Sequence, residues 1–236
     1  LTKLELYNNP LTCIDDQQIF DNFPVLEIFH VKDTDLTKYP CRNHSTLEQF
    51  YISSATFQSF NDCKPFLKLP SLTHFELSYT PLKEFPDLVG ATNLYQLNLG
   101  YTDIDFLPNG TNLTFPGNNL VNLYIHYQKF QVFPNQFLSK MNKLVTFQAE
   151  GGAVEVVEDY FLSGAEELSY LGFYLNKIQK LPNFTGIESH YKLHTMMFRN
   201  NDIKGEVPST LLCNATNLEK LELHENEISS VPVDLL

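Results

Sequence analysis

The sequence repeats one pattern along its whole length, and this periodicity limits the possible folds more than any other feature. Residues 1–11 (LTKLELYNNPL), 94–104 (LYQLNLGYTDI) and 218–228 (LEKLELHENEI) align without gaps. Ten copies occur, at spacings of 21 to 26 residues. Their first residues are Leu1, Leu26, Leu47, Leu72, Leu94, Leu120, Leu144, Leu168, Leu193 and Leu218.

Four positions of the repeat, numbered 1, 4, 6 and 11 from its first leucine, are apolar in all ten copies. One unit of this length cannot bury its own apolar residues, so neighbouring units must stack and share a continuous core. The pattern therefore predicts a solenoid. At position 4 the residues are Leu4, Phe29, Phe50, Phe75, Leu97, Leu123, Phe147, Leu171, Met196 and Leu221.

The pattern L-x-x-L-x-L-x-x-N-x-L resembles that of the leucine-rich repeat family over the whole chain. The resemblance implies an α/β solenoid, a horseshoe of about ten repeats. Its parallel β-sheet would lie on the concave side, with loops and short helical turns on the convex side. Most repeats resemble the extracellular class of 24–26 residues, whereas residues 193–217, with NNDIKGEVP, resemble a plant-type repeat.

We predict a single domain, 1–236. Because Leu1 lies within a repeat and no capping modules are visible, we expect an internal segment of a longer chain.

Two further repeat positions give structural predictions. Phe60, Phe85 and Phe133 occupy position 14, where we expect a stacked aromatic core. Position 9 of the family is asparagine, whose side chain bonds the backbone of the turn. Here six middle repeats carry other residues, so we expect an interrupted asparagine ladder. The matching residues are Asn9, Asn176, Asn201 and Asn226.

The net charge of −12, with 16 scattered Lys and Arg residues, argues against a nucleic-acid partner or an anionic membrane surface. No stretch approaches the ~20 apolar residues of a membrane span, so we expect no direct membrane insertion in this segment.

The cysteines suggest one disulfide bond. Cys41 and Cys63 fall at positions 16 and 17 of neighbouring repeats, where stacking would bring them close. Cys13 is the rival partner for Cys41. Cys213 lies too many repeats away and is expected to be a free thiol.

Five N-x-[ST] sequons fall at repeat positions 16–22, outside the predicted strands. This placement favours a secreted or cell-surface glycoprotein, although loops are rich in these residue types in any compartment. The predicted glycosylation sites are Asn43, Asn109, Asn112, Asn183 and Asn214.

No motif indicates catalysis, a cofactor or a metal. The two histidines of HYKLH (190–194) lack the glutamate of a zinc-protease motif. The acidic turns DTD (33–35) and DID (103–105) could contribute to a calcium site, but short acidic turns are mostly just solvated. We predict that the chain is not an enzyme.

Strand alternation places repeat positions 3, 5, 7 and 8 on the concave face, and eight of the 12 tyrosines fall there. Stacked tyrosines can simply stabilise neighbouring strands. They are also favoured interface anchors. Small residues at Gly151 and Gly152 should leave a dip among them. The predicted partner-binding residues are Tyr79, Tyr101, Tyr124, His126, Tyr127, Glu150, Tyr170, Tyr174 and Arg199.

The resulting hypothesis is a non-catalytic recognition module, the extracellular ligand- or protein-binding domain of a receptor or secreted glycoprotein. Its partner would be a protein or peptide, and a homo- or hetero-oligomer could form through the solenoid flank. The alternative is an intracellular leucine-rich repeat scaffold or an enzyme-regulatory domain. The ligand itself is not encoded in the pattern, because repeat scaffolds change partners by changing these exposed positions.

Overall fold

A computed structural model of the chain describes residues 1–14, 16–38, 43–58, 69–108, 119–182, 184, 192–212 and 215–233. The chain divides into two compact units. The first unit comprises Leu1–Ile104 with Thr114–Leu120, and the second comprises Asp105–Leu113 with Val121–Leu236. The single domain remains a prediction.

The first unit contains a parallel sheet of five strands in the order β1-β2-β3-β4-β5. One helix, α1 (Asp16–Asn22), connects β1 to β2. The strands are β1 (Lys3–Tyr7), β2 (Ile28–Lys32), β3 (Gln49–Ser53), β4 (His74–Ser78) and β5 (Gln96–Asn98).

The second unit contains a parallel sheet in the order β6-β8-β10-β11-β13, and two short parallel pairs, β7 with β9 and β12 with β14. The main strands are β6 (Asn122–Tyr124), β8 (Thr146–Gln148), β10 (Tyr170–Gly172), β11 (Thr195–Met197) and β13 (Lys220–Glu222). The short strands are β7 (Val132–Phe133), β9 (Val156–Val157), β12 (Lys204–Glu206) and β14 (Glu227–Ser230).

The strands pair so that each repeat position lies beside the same position of the next repeat. In the first unit Leu4 pairs with Phe29, and Phe29 with Phe50. In the second unit Phe147 pairs with Leu171. The apolar positions therefore form continuous buried rows, and the predicted parallel-sheet solenoid with little helix is confirmed.

Phenylalanine rings fill the core of both units. In the first unit the rings of Phe29, Phe50 and Phe75 follow one another at centroid distances of 5.4 and 5.8 Å. In the second unit the ring of Phe133 lies 5.0 to 5.9 Å from five other phenylalanine rings. Phe133 is fully buried, so its predicted core role is confirmed. Phe85 is half-buried, and Phe60 lies outside the described residues.

The asparagine ladder is confined to the last repeats. The side-chain amide of Asn201 donates to the carbonyls of Phe173 and Phe198, and its oxygen accepts from the N–H of Ile178. Asn176 and Asn226 make equivalent bonds. At the same position Thr34 and Thr80 have buried hydroxyls without a hydrogen-bond partner among the described residues. The predicted interruption is therefore confirmed.

Repeat position 8 is left-handed in every repeat, which strand alternation did not predict. The N–H of Tyr79 still donates to the carbonyl of Gly100, and that of Tyr127 to the carbonyl of Glu150. The chain then turns, although a non-glycine residue in this conformation costs about 1–2 kcal/mol. The residues, with φ from +51° to +66°, are Asn8, Asp33, Ser54, Tyr79, Tyr101, Tyr127, Gly151, Leu175, Asn200 and Glu225.

Gly151 is the one glycine among these ten residues, and a neighbouring ring covers it. A Cβ atom added to Gly151 would lie 2.4 Å from Cε1 of Tyr127. The ring of Tyr127 therefore fills the space above Gly151, where we had predicted a dip.

Replacing Gly151 by alanine should lower the free energy of unfolding more than the matched change Gly205→Ala. Both glycines have positive φ, +66° and +80°. Each alanine therefore meets a backbone cost of about 1–2 kcal/mol. Only at Gly151 must a ring also move, because no atom lies within 4 Å of a Cβ at Gly205. Urea unfolding followed by circular dichroism measures both losses.

A double-mutant cycle isolates the ring contribution. In a Tyr127→Ala background the excess loss of Gly151→Ala over Gly205→Ala should disappear. An unchanged excess in that background would contradict the packing of Tyr127 on Gly151.

Candidate functional site

The predicted partner-binding residues lie on the exposed face of each sheet, opposite the buried core positions. In the main strands of the second unit, residues at positions 3 and 5 are mostly half-buried, while position 4 between them is buried, Leu221 of the terminal strand excepted. Two predicted residues, Tyr79 and Tyr101, belong to the first unit. The other seven belong to the second unit and are Tyr124, His126, Tyr127, Glu150, Tyr170, Tyr174 and Arg199.

In-register pairing aligns four of these seven at repeat position 7. We call His126, Glu150, Tyr174 and Arg199 the position-7 row, since they follow the successive strands β6, β8, β10 and β11. All four side chains are half-buried. The row thus places one carboxylate, one guanidinium, one phenol and one imidazole on the same face.

Arg199 is held in place by two neighbours. Its guanidinium carbon lies 4.1 Å from the centroid of the Tyr174 ring, and its Nε lies 3.0 Å from Oε2 of Glu222. Lys220 Nζ lies 2.8 Å from Oε1 of the same carboxylate. The hydrogen bond from Lys220 is the main reason why the pKa of Glu222 is lowered; burial opposes it, and the charges of Lys220 and Arg199 add to the lowering. The arginine is therefore fixed between an aromatic face and an ionised carboxylate.

Sequence reasoning missed Glu222. It occupies position 5 of the last repeat and follows Met197 in register. A comparison of the residues at position 5 of successive repeats, in search of a charge opposite to that of Arg199, would have identified Glu222.

His126 and Glu150 form a contact that is not an ion pair at neutral pH. Nδ1 of His126 lies 3.7 Å from Oε1 of Glu150. Burial lowers the pKa of His126 to about 4, so the imidazole is neutral, and its Nδ1 accepts a 3.4 Å hydrogen bond from the N–H of Glu150. Burial also raises the pKa of Glu150, whose Oε2 has no hydrogen-bond partner among the described residues.

Two tyrosines of the second unit pack on glycines. A Cβ atom at Gly172 would lie 3.1 Å from Cε1 of Tyr170, much as the Tyr127 ring covers Gly151. The hydroxyl of Tyr170 donates to Sδ of Met197 at 2.8 Å. Both rings therefore have a packing role.

In the first unit Tyr79 and Tyr101 stack on each other. Their ring centroids lie 4.2 Å apart with planes at 11°. The two residues remain 55% and 40% exposed, so the stack is accessible. Packing between neighbouring strands accounts for this arrangement without a ligand.

The other predicted sites are only partly described. Asn43 is exposed, and Cys13 is an exposed free cysteine. The predicted pair Cys41 and Cys63 lies outside the described residues. The same holds for Cys213, His190, Asn109, Asn112, Asn183 and Asn214.

Within the described ranges, no cluster of three or more His, Cys, Asp or Glu side chains is arranged to hold a metal ion. None of the described helical segments has the length and apolar character needed to cross a bilayer.

Known proteins share this fold. A segment of 177 residues, 72% of this chain, is 29% identical to receptor-like protein 7 of Arabidopsis thaliana but covers only 15% of that protein. A crystal structure of the TLR13–ssRNA13 complex matches 95% of this chain and 36% of TLR13, with a TM-score of 0.73 and 19% identity. No protein-family model matches the chain.

A structure of the Toll–Spatzle complex from Drosophila matches 99% of this chain and 31% of that one, with a TM-score of 0.76 and 17% identity. The chain has the leucine-rich repeat fold. At this identity the two solved structures show the leucine-rich repeat fold alone. Since one of them is a complex with RNA, the exclusion of nucleic acids that we drew from net charge is not supported.

The stability of this protein should fall as the pH is lowered from about 6.5 towards 4. His126 takes up a proton near pH 6.5 in the unfolded chain but only near pH 4 in the folded one. Protonation therefore favours the unfolded state in this window, by up to about 3 kcal/mol. The raised pKa of Glu150 acts in the opposite direction and offsets part of the loss.

Urea unfolding between pH 7 and 4 measures this effect, and His126→Asn should flatten the pH profile. His224→Asn, which changes an exposed histidine of the same unit, is the matched control. Equal profiles for the two variants would contradict a buried neutral His126.

Proposed function

We propose that this chain is an extracellular recognition module that binds a protein ligand through the position-7 row of the second unit. The main support for this proposal is the fixed position of the arginine in that row. Arg199 contacts the Tyr174 ring at 4.1 Å and Glu222 at 3.0 Å, and its side chain is still 30% exposed. Tyrosine and arginine are the residues most enriched among binding hot spots.

Preorganisation supports the same proposal. A long arginine side chain that is already ordered loses little conformational freedom when a partner docks. A mixed row of this kind suits a polar protein surface better than a small apolar ligand.

A protein ligand is favoured over a nucleic acid by charge. The chain has a net charge of −12, and phosphate binding requires clustered Lys and Arg. Toll forms a complex with the protein Spatzle, and TLR13 with single-stranded RNA, so the fold accommodates both classes. The row offers a single arginine, with one carboxylate in the row, Glu150, and a second, Glu222, in contact with the arginine, which makes it a poor phosphate track.

The extracellular assignment rests on two observations. The relatives are described as a receptor-like protein, a TLR and Toll, which are receptor names. The sequon residue Asn43 is exposed, as glycan attachment requires.

Binding can be tested by screening the chain of 236 residues against a panel of secreted and cell-surface proteins. For any ligand found, Tyr174→Ala and Arg199→Ala should each weaken the affinity at least tenfold, since each removes a central anchor. Tyr160→Ala is the matched control, because Tyr160 is an exposed tyrosine of the same unit outside the row. Calorimetry gives the three dissociation constants.

Losses no larger than that of Tyr160→Ala would contradict binding at the row. In a parallel assay, fluorescence anisotropy with poly(U) RNA at physiological salt should give no saturable binding. Saturable binding of poly(U) would contradict the choice of a protein ligand.

Protein purified from its native source should carry a glycan on Asn43. Mass spectrometry after enzymatic deglycosylation should find Asn43 converted to aspartate, because the deglycosylating amidase leaves that product. An unmodified Asn43 together with cytosolic fractionation would contradict the extracellular assignment and favour the intracellular scaffold.

A further inference from the structure

A cavity of about 390 Å³ opens on the exposed face of the first unit, over strands β1 to β4. None of the nine predicted partner-binding residues lines it. Its lining includes Tyr7, His30, Lys32, Asp33, Tyr51 and Glu76. The volume is sufficient for one long amino-acid side chain.

Three of the lining residues, His30, Tyr51 and Glu76, belong to a cross-strand row at repeat position 5 that begins with Glu5 beside the cavity. Glu5 pairs with His30, His30 with Tyr51, and Tyr51 with Glu76. Two aromatic rings are therefore flanked by a carboxylate on each side. Such an arrangement of carboxylates and aromatic rings attracts a cationic group of a ligand.

The two carboxylates differ in how far they are already neutralised. Glu5 accepts a 2.8 Å hydrogen bond from the hydroxyl of Tyr7 and lies 3.0 Å from Nζ of Lys3. Glu76 accepts a 2.7 Å bond from the hydroxyl of Ser78 and has no ion pair with any described residue. Glu76 is thus the carboxylate of the two that no described lysine or arginine already pairs with.

The aromatic wall is fixed by its own contacts. The rings of His30 and Tyr51 meet edge to face, with centroids 4.3 Å apart, and the hydroxyl of Tyr7 lies 2.7 Å from Nδ1 of His30. Burial and then the charge of Glu76 raise the pKa of Tyr51, as expected for a phenol beside this carboxylate. At the rim, Lys32 and Asp33 are both exposed and contribute one charge of each sign.

We propose that this cavity binds a basic side chain, lysine or arginine, presented by a protein partner. The charged group binds the carboxylate of Glu76, and the apolar stem lies along the rings of Tyr51 and Tyr7. A cation over tyrosine is attracted to the ring face, and a carboxylate at its end adds a charge-assisted hydrogen bond. The site lies wholly in the first unit, so it does not depend on the position-7 row of the second unit.

The chain can be tested with two short peptides, acetyl-Ala-Lys-Ala-amide and its uncharged analogue acetyl-Ala-norleucine-Ala-amide. Protein labelled with ¹³C in its tyrosine rings is titrated with each peptide, and the ring resonances are followed by NMR. The lysine peptide should shift the resonances of Tyr7 and Tyr51 in a saturable way. The norleucine peptide should bind at least tenfold more weakly.

Two variants of equal charge change identify the carboxylate. Glu76→Gln should weaken the affinity for the lysine peptide at least tenfold, while the amide oxygen of the glutamine can still accept a hydrogen bond from Ser78. Glu48→Gln removes the same charge from an exposed residue of the same unit and should leave binding unchanged. Tyr51→Leu, which removes an aromatic wall and keeps Glu76, should also weaken binding.

Equal binding of the lysine and norleucine peptides would overturn the proposal, because no cation would then be recognised. Equal effects of Glu76→Gln and Glu48→Gln would overturn it as well, since the charge would act only at long range. Saturable shifts confined to tyrosines outside the cavity would also overturn the proposal.

Discussion

In-register parallel pairing is the constraint on which the rest of this molecule depends. Each strand places a repeat position beside the same position of its neighbour, as Phe29 beside Phe50 and Tyr51 beside Glu76. The residues at any one repeat position therefore form a row across neighbouring strands. The apolar positions give buried rows on one side of the sheet. The polar positions give rows of functional groups on the other, and both proposed sites are such rows.

The core was predictable because its cause is local and repeated. Leucine at position 1 and an apolar residue at position 4 recur in every repeat, and burial follows from stacking. The left-handed turn at position 8 was not predictable, since residues such as Tyr79 and Leu175 give no local signal for it. There the geometry of the sheet edge and the turn outweighs the preference of the residue.

The candidate sites were predictable only in part, and for a similar reason. Residue type and repeat position identified Tyr174 and Arg199, which the structure brings into contact. The sequence did not indicate which tyrosines rest on glycines, because that depends on the direction in which a ring leans. It also could not separate a carboxylate held by a lysine, such as Glu5, from one that is not, such as Glu76.

The left-handed residues carry a consequence for how such a surface can change its specificity. Ten residues at position 8 adopt this backbone conformation, and none of them is valine, isoleucine or threonine. Branching at Cβ is the feature that this conformation tolerates least. A lineage, or a designed library, that varies position 8 to acquire new partners is therefore free in charge, size and aromaticity. It is restricted in one respect, which is branching of the side chain at Cβ.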